Sequence, residues 1–157
     1  MALLKYFLAV ILGLFLTVNV QAAMVSFCVI ETGLSEDEHE NQYSVLWENA
    51  FLDVFFEAGH IVCNAPILRV EEKPANNILR HFNMQDIRNS GIDFLIIALL
   101  DFNSESASSE VTFFIYKVTP REKILERLLP ERQPRTAARE EFEFMKAVAR
   151  GFTPYID

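Results

Sequence analysis

The chain has 157 residues, with 14 basic against 22 acidic side chains, a formal net charge of −8 and a hydrophobic content of 51%. An acidic balance of that size repels phosphate backbones and anionic lipid surfaces, which excludes nucleic acid as a partner class. The 14 phenylalanines favour a packed globule over a disordered tail.

The first residues carry one positive charge, Lys5, followed by an apolar core that falls short of the ~20 residues a bilayer span needs. Val20, Gln21 and Ala22 then supply small or compact side chains, so residues 1–22 read as an export signal cleaved after Ala22. The alternative is a retained anchor helix. In either case the rest of the chain is exported, to the periplasm or beyond, and the mature domain itself does not insert into membrane. Residues 23–157 suffice for one domain with a sizeable core and are too few for two. Phe27 precedes Cys28, a bulky residue where a lipid-modified cysteine wants a small one.

Met24 to Ile30 is rich in β-branched and aromatic residues and stops at Glu31-Thr32-Gly33, which predicts the first strand. Ser35 with Glu38 has capping-box spacing, and the acids Asp37, Glu38 and Glu40 suit the first turn of a helix better than a metal cluster with His39. The spacing of Val45, Leu46, Asn49, Leu52, Phe55 and Phe56 predicts a helix over 42–58 with that stripe against the sheet. Trp47 and Phe51 lie off the stripe, which makes them the candidate docking surface. Gly59 closes the helix.

His60 to Val70 reads as a second strand bent at Pro66. A short helical stretch follows with Ile78, Leu79 and Phe82 on one face, then Asn83 as a cap before Met84 and Ile87. The apolar run from Phe94 to Leu100 is bounded by Gly91 and by the polar tract from Asn103, so it is a strand buried on both faces at the middle of the sheet. Residues 111–118 and 123–129 alternate around Thr119-Pro120-Arg121-Glu122 and predict a hairpin. Thr136 caps a final helix with Ala138, Phe142, Met145, Ala149 and Phe152 on one face and a Glu143–Lys146 pair outside.

The order of elements predicts a single α/β domain over 23–157, with a mixed sheet of about five strands in two or three layers. Its first three strands, joined by helical crossovers, are parallel, and a carboxy-terminal hairpin and final helix complete it. In this arrangement the chain resembles the α/β domain shared by the amino-terminal part of TolB, the curli-secretion protein CsgG and the outer-membrane activators of penicillin-binding proteins. The residues that carry the resemblance are Leu52, Phe56, Gly59, Ile61 and Val62, where a helix runs into strand two, and Gly91 to Ile96 at the entry to the central strand. The first strand lacks the Pro-Phe ending common in that group, and the hairpin lacks its usual Gly. The resemblance implies a non-catalytic envelope module that binds another protein.

Cys28 and Cys63 fall in neighbouring strands of an oxidising compartment, so a disulfide and two buried thiols both remain open. His39, His60 and His81 lie near no nucleophile motif, and the five glycines make no phosphate-cradling loop, so neither catalysis nor a cofactor or metal is expected. Parallel strands place Glu31, Glu71 and Asp101 at their carboxyl ends, the edge where open α/β sheets bind ligands. That edge, with the flanking loops, is the second candidate binding surface. The function expected is an adaptor in a cell-envelope assembly whose partner is another envelope protein. The alternatives are a small metal-dependent hydrolase working at the acidic edge and a structural subunit that associates with itself.

Overall fold

The computed structural model describes residues 22–33, 42–71, 74, 77–102, 109–132 and 137–156. The export signal and the acid-rich turn with its capping box lie outside these residues, as does the Thr136 cap.

Among the described residues, six strands form one mixed sheet: β1 (Met24–Thr32), β2 (Ile61–Asn64), β3 (Leu68–Val70), β4 (Phe94–Phe102), β5 (Ser109–Lys117) and β6 (Glu122–Arg132). The spatial order is β2-β1-β4-β5-β6, with β3 beside β1 on the same flank as β2. β1 runs parallel to β2, β3 and β4, while β4–β5 and β5–β6 are antiparallel. The second predicted strand is thus two short ones. Ala65-Pro66-Ile67 interrupts it, as Pro66 requires, because proline cannot donate to the ladder. β4 is the middle of the sheet and is buried from Leu95 to Leu100.

Successive side chains of a strand point to opposite faces, so each face gathers its own core. One face presents Val25, Phe27 and Val29 of β1, Ile96, Ala98 and Leu100 of β4, and Val111, Phe113 and Ile115 of β5. Helices α1 (Gln42–Glu57) and α3 (Ala138–Arg150) cover it. The other face presents Ile30, Leu95, Ile97 and Leu99, with Tyr116 and Val118 of the β5 arm. Its cover is lighter: a 3₁₀ turn at Ile78–His81 and the short helix α2 (Met84–Asn89). Asn83 caps α2 by accepting from the amides of Gln85 and Asp86, as its position in the sequence predicts.

Helix α1 sits on the sheet by a different face from the one its stripe predicts. Ser44, Trp47, Ala50, Phe51, Val54 and Phe55 are buried, whereas Phe56 is 70% exposed. Trp47 and Phe51 are both 0% exposed, so neither is a surface residue. Apolar side chains occupy two opposite faces of α1, and periodicity therefore does not select the inward one. The aromatic rings of β1 and β5 do. Phe51 stacks on Phe27 with centroids 4.5 Å apart and on Phe113 at 5.0 Å, and Trp47 meets Phe113 edge-on at 5.2 Å. Gly59 ends α1 with φ near +91°, a region open to glycine because it has no Cβ.

Lys146 also departs from the expected pairing with Glu143. It turns inward from α3 and donates to Asp53 at 2.5 Å and Glu57 at 3.2 Å, both on α1. The two carboxylates hold its ammonium above the ordinary lysine range, Asp53 first and Glu57 second. β6 continues past the predicted hairpin end to Arg132, passing through Pro130. An edge strand tolerates this, since the missing N–H faces no partner strand.

Candidate functional site

The acidic edge is built by register. Glu31 sits opposite Leu100 and Thr32 opposite Asp101, while on the other flank Glu31 faces Arg69 and Thr32 faces Val70. Partners in a ladder share a face, so Glu31 points with Leu100 into the α1/α3 core and Asp101 points with Thr32 to the opposite face. Glu71 follows β3 and is exposed. Glu31 and Asp101, two of the three carboxylates expected to converge, are therefore separated by the plane of the sheet. Glu31 is fully buried and accepts from Arg69 Nε at 2.8 Å through Oε2, while its Oε1 has no hydrogen-bond partner. Among the described residues, no group of three His, Cys, Asp or Glu side chains is placed to share a metal ion.

Cys28 and Cys63 are free thiols. The register pairs Cys63 with Ser26, two residues before Cys28 along β1, and so offsets the two sulfurs along the sheet. Cys63 Sγ lies 3.7 Å from the Val25 carbonyl and Cys28 Sγ 3.9 Å from that of Pro66. Burial pushes the Cys28 thiol up to about 12, with the Glu48 charge adding to the effect, so it is not a reactive nucleophile. His60 is buried against Phe55 and takes a hydrogen bond from the Ala23 amide at its Nδ1. His81 accepts from Arg80 Nε at 3.2 Å.

Two surface features were missed by periodicity. The first is the outer face of α1. With Trp47, Phe51 and Val54 turned inward, Val45, Leu52 and Phe56 form a stripe on the opposite side, Val45 and Leu52 half-buried and Phe56 exposed. The same helix carries Glu48, Asp53 and Glu57 and no basic residue. Glu48 takes a hydrogen bond from Asn64 of β2, and Asp53 and Glu57 face α3 through Lys146, so acids flank the stripe on both sides. A hollow of about 350 Å³ lined by Gln42, Val45, Leu46 and Ala138 continues it toward the start of α3. The second feature is a hollow of about 410 Å³ on the lightly covered face, lined by Asn77, Leu79, Arg80, Phe82, Met84 and Arg121.

No family model and no curated protein sequence matches the chain. Solved structures do. TolB from Acinetobacter baumannii aligns at 15% identity with a TM-score of 0.46, covering 85% of this chain and 29% of its own. A single-substitution variant of the PelC dodecamer from Paraburkholderia phytofirmans aligns at 13% identity with a TM-score of 0.50, covering 85% of this chain and 89% of its own. The LpoB carboxy-terminal domain from Salmonella enterica aligns at 13% identity with a TM-score of 0.39, covering 77% of this chain and 91% of its own. The likeness is one of fold. It agrees with the single α/β domain that the order of elements predicts. Among the described residues, no helix is long and apolar enough to cross a membrane.

Proposed function

We propose that this chain is an exported, non-catalytic binding protein that serves as an adaptor in a cell-envelope assembly. The observation that carries the reading is the outer face of α1, an apolar stripe of Val45, Leu52 and Phe56 on a helix whose charges are all acidic. A large apolar side chain left 70% exposed at the end of a core helix gains from being covered, and a second amphipathic helix is the simplest cover. Charge selects the occupant. Pairing α1 with α1 of a second copy would oppose acids to acids, since Lys146 offsets only one of the two charges of Asp53 and Glu57, whereas a helix with Lys or Arg beside its apolar stripe meets the net negative charge favourably.

A photo-cross-linker at Asn49, on the outer face of α1, tests the proposal in native envelopes, with one at Ala147 on the outside of α3 as control. The expected product forms from position 49 alone, maps to a basic helical segment of another protein, and disappears in Phe56→Asp. Equal products from both positions, or a product indifferent to Phe56→Asp, would refute it. A second reading, a self-associating subunit, is favoured by the PelC likeness, since that structure is described as a dodecamer. Sedimentation of the purified chain separates the two, because an adaptor of this charge stays monomeric while a subunit assembles. The hydrolase reading would instead require tight binding of a divalent ion at the acidic edge.

A further inference from the structure

We propose that the hollow between the 3₁₀ turn at Ile78–His81 and the β5–β6 turn is a binding site for a small amphiphilic anion, a phosphate or carboxylate head on an alkyl body. Its floor is apolar: Leu79, Phe82 and Met84 are half-buried and also pack on the core under β4. Its rim is cationic, because Arg80 and Arg121 line the same space from two segments far apart in sequence. Arg121 lies in the turn after β5, which is anchored where Val118 donates its amide to the Asp93 carbonyl at the entry to β4. Asn77 adds an amide to the rim.

Neither guanidinium is paired with a carboxylate among the described residues, although the chain has 22 acids. Arg80 uses Nε on His81, which leaves its terminal nitrogens as donors. Elsewhere, Arg69 and Lys146 are taken up by Glu31, Asp53 and Glu57. Two uncommitted arginines over an apolar floor meet both halves of an anionic amphiphile. The planar forks suit phosphate or carboxylate oxygens, and covering the floor removes apolar surface from water. The negative charge of the chain does not prevent this, because screening confines its field to within about 8 Å of each group at physiological salt. The volume falls in the lower part of the range for small-molecule sites, so the body is short: an alkyl chain or a single ring.

Titration calorimetry of the purified chain with decyl phosphate, decanoate, decyltrimethylammonium and inorganic phosphate, all below their micellar concentrations, decides the matter. The expected result is saturable binding of one equivalent of both anionic amphiphiles, with the ratio of their affinities reporting which head group is preferred. Decyltrimethylammonium and inorganic phosphate each bind at least about tenfold more weakly. Arg80→Gln and Arg121→Gln, both on exposed side chains, each weaken decyl phosphate about tenfold while leaving the thermal midpoint unchanged. Equal affinity for the cationic amphiphile would reduce the site to unspecific apolar adsorption. Equal affinity for inorganic phosphate would make the floor irrelevant. Unchanged binding in both arginine variants, or no saturable binding of either anion, would overturn the assignment. None of these outcomes bears on the cross-link at Asn49, so the site and the adaptor role stand or fall separately.

Discussion

Phe51→Ala tests how α1 sits on the sheet. Phe51 is 0% exposed and its ring lies 4.5 Å from Phe27, 5.0 Å from Phe113, 5.6 Å from Phe152 and 5.9 Å from Phe55. Truncating a core phenylalanine costs about 3–5 kcal/mol, the spread reflecting how far the site can collapse. Here the surrounding rings belong to β1, β5, α1 and the segment after α3, and three of them stack within about 20° of parallel. Each such pair contributes about 0.5–1.5 kcal/mol beyond its area, and rings held by separate elements cannot close the gap. The loss is therefore near the upper end, about 5 kcal/mol, comparable with the whole stability of a marginal domain. The thermal midpoint should fall by roughly 15 °C. Equilibrium unfolding in urea followed by far-ultraviolet circular dichroism measures it, with Phe51→Leu as a variant that keeps most of the volume and loses about 1–2 kcal/mol. Phe56→Ala, one helical turn on, should change stability by no more than about 0.5 kcal/mol. A Phe51→Ala cost below about 1 kcal/mol, or a Phe56→Ala cost above it, would mean that α1 presents the other face to the sheet.

Arg69→Met takes the Arg69 guanidinium from the buried Glu31 carboxylate and should cost about 2–3 kcal/mol, below the range for a fully buried pair because Arg69 is 37% exposed. Adding Glu31→Leu should recover most of that loss in urea melts, and a double variant as unstable as the single would disprove the account. Gly33→Ala places a Cβ 2.1 Å from the Phe102 carbonyl oxygen at a φ of +80°, so it should destabilise by about 3 kcal/mol or more, read as a drop in thermal midpoint. Cys28 should resist iodoacetamide at neutral pH while Cys63, half-buried, is modified first, as peptide mass mapping would report. The folded Cys28 thiol titrates near 12 against 9.0 unfolded, so between those values the unfolded chain alone loses the proton. Stability should therefore fall as pH rises above about 9, and Cys28→Ala should flatten that fall. An unchanged slope in the variant would exclude Cys28 as its source.

Much of the fold is legible in the residue order because local patterning and topology point the same way. The unbroken apolar run from Leu95 to Leu100 can be satisfied only by cover on both faces, and β4 is indeed the middle strand. Crossover connections made β1, the β2/β3 pair and β4 parallel, Pro66 broke the flank strand, and Val111, Phe113 and Ile115 face the helices together as their alternation requires. The candidate sites were less legible. Parallel strands put Glu31 and Asp101 at one edge, but which face each side chain takes follows from the exact register, and a one-residue offset divides them across the sheet.

What the sequence determined by itself is the class of fold and the acidic character of the chain, since both depend on composition and on periods of two that a strand cannot hide. What only tertiary structure decided is orientation. A helix that carries apolar side chains on two opposite faces has no inward face until something large is waiting for it, and the rings of Phe27 and Phe113 drew in Trp47 and Phe51. The same rotation put Phe56 outside, and the turns of distant segments brought Arg80 and Arg121 to one hollow. Both surfaces arise from contacts between residues far apart along the chain, and no window of neighbouring residues carries that information.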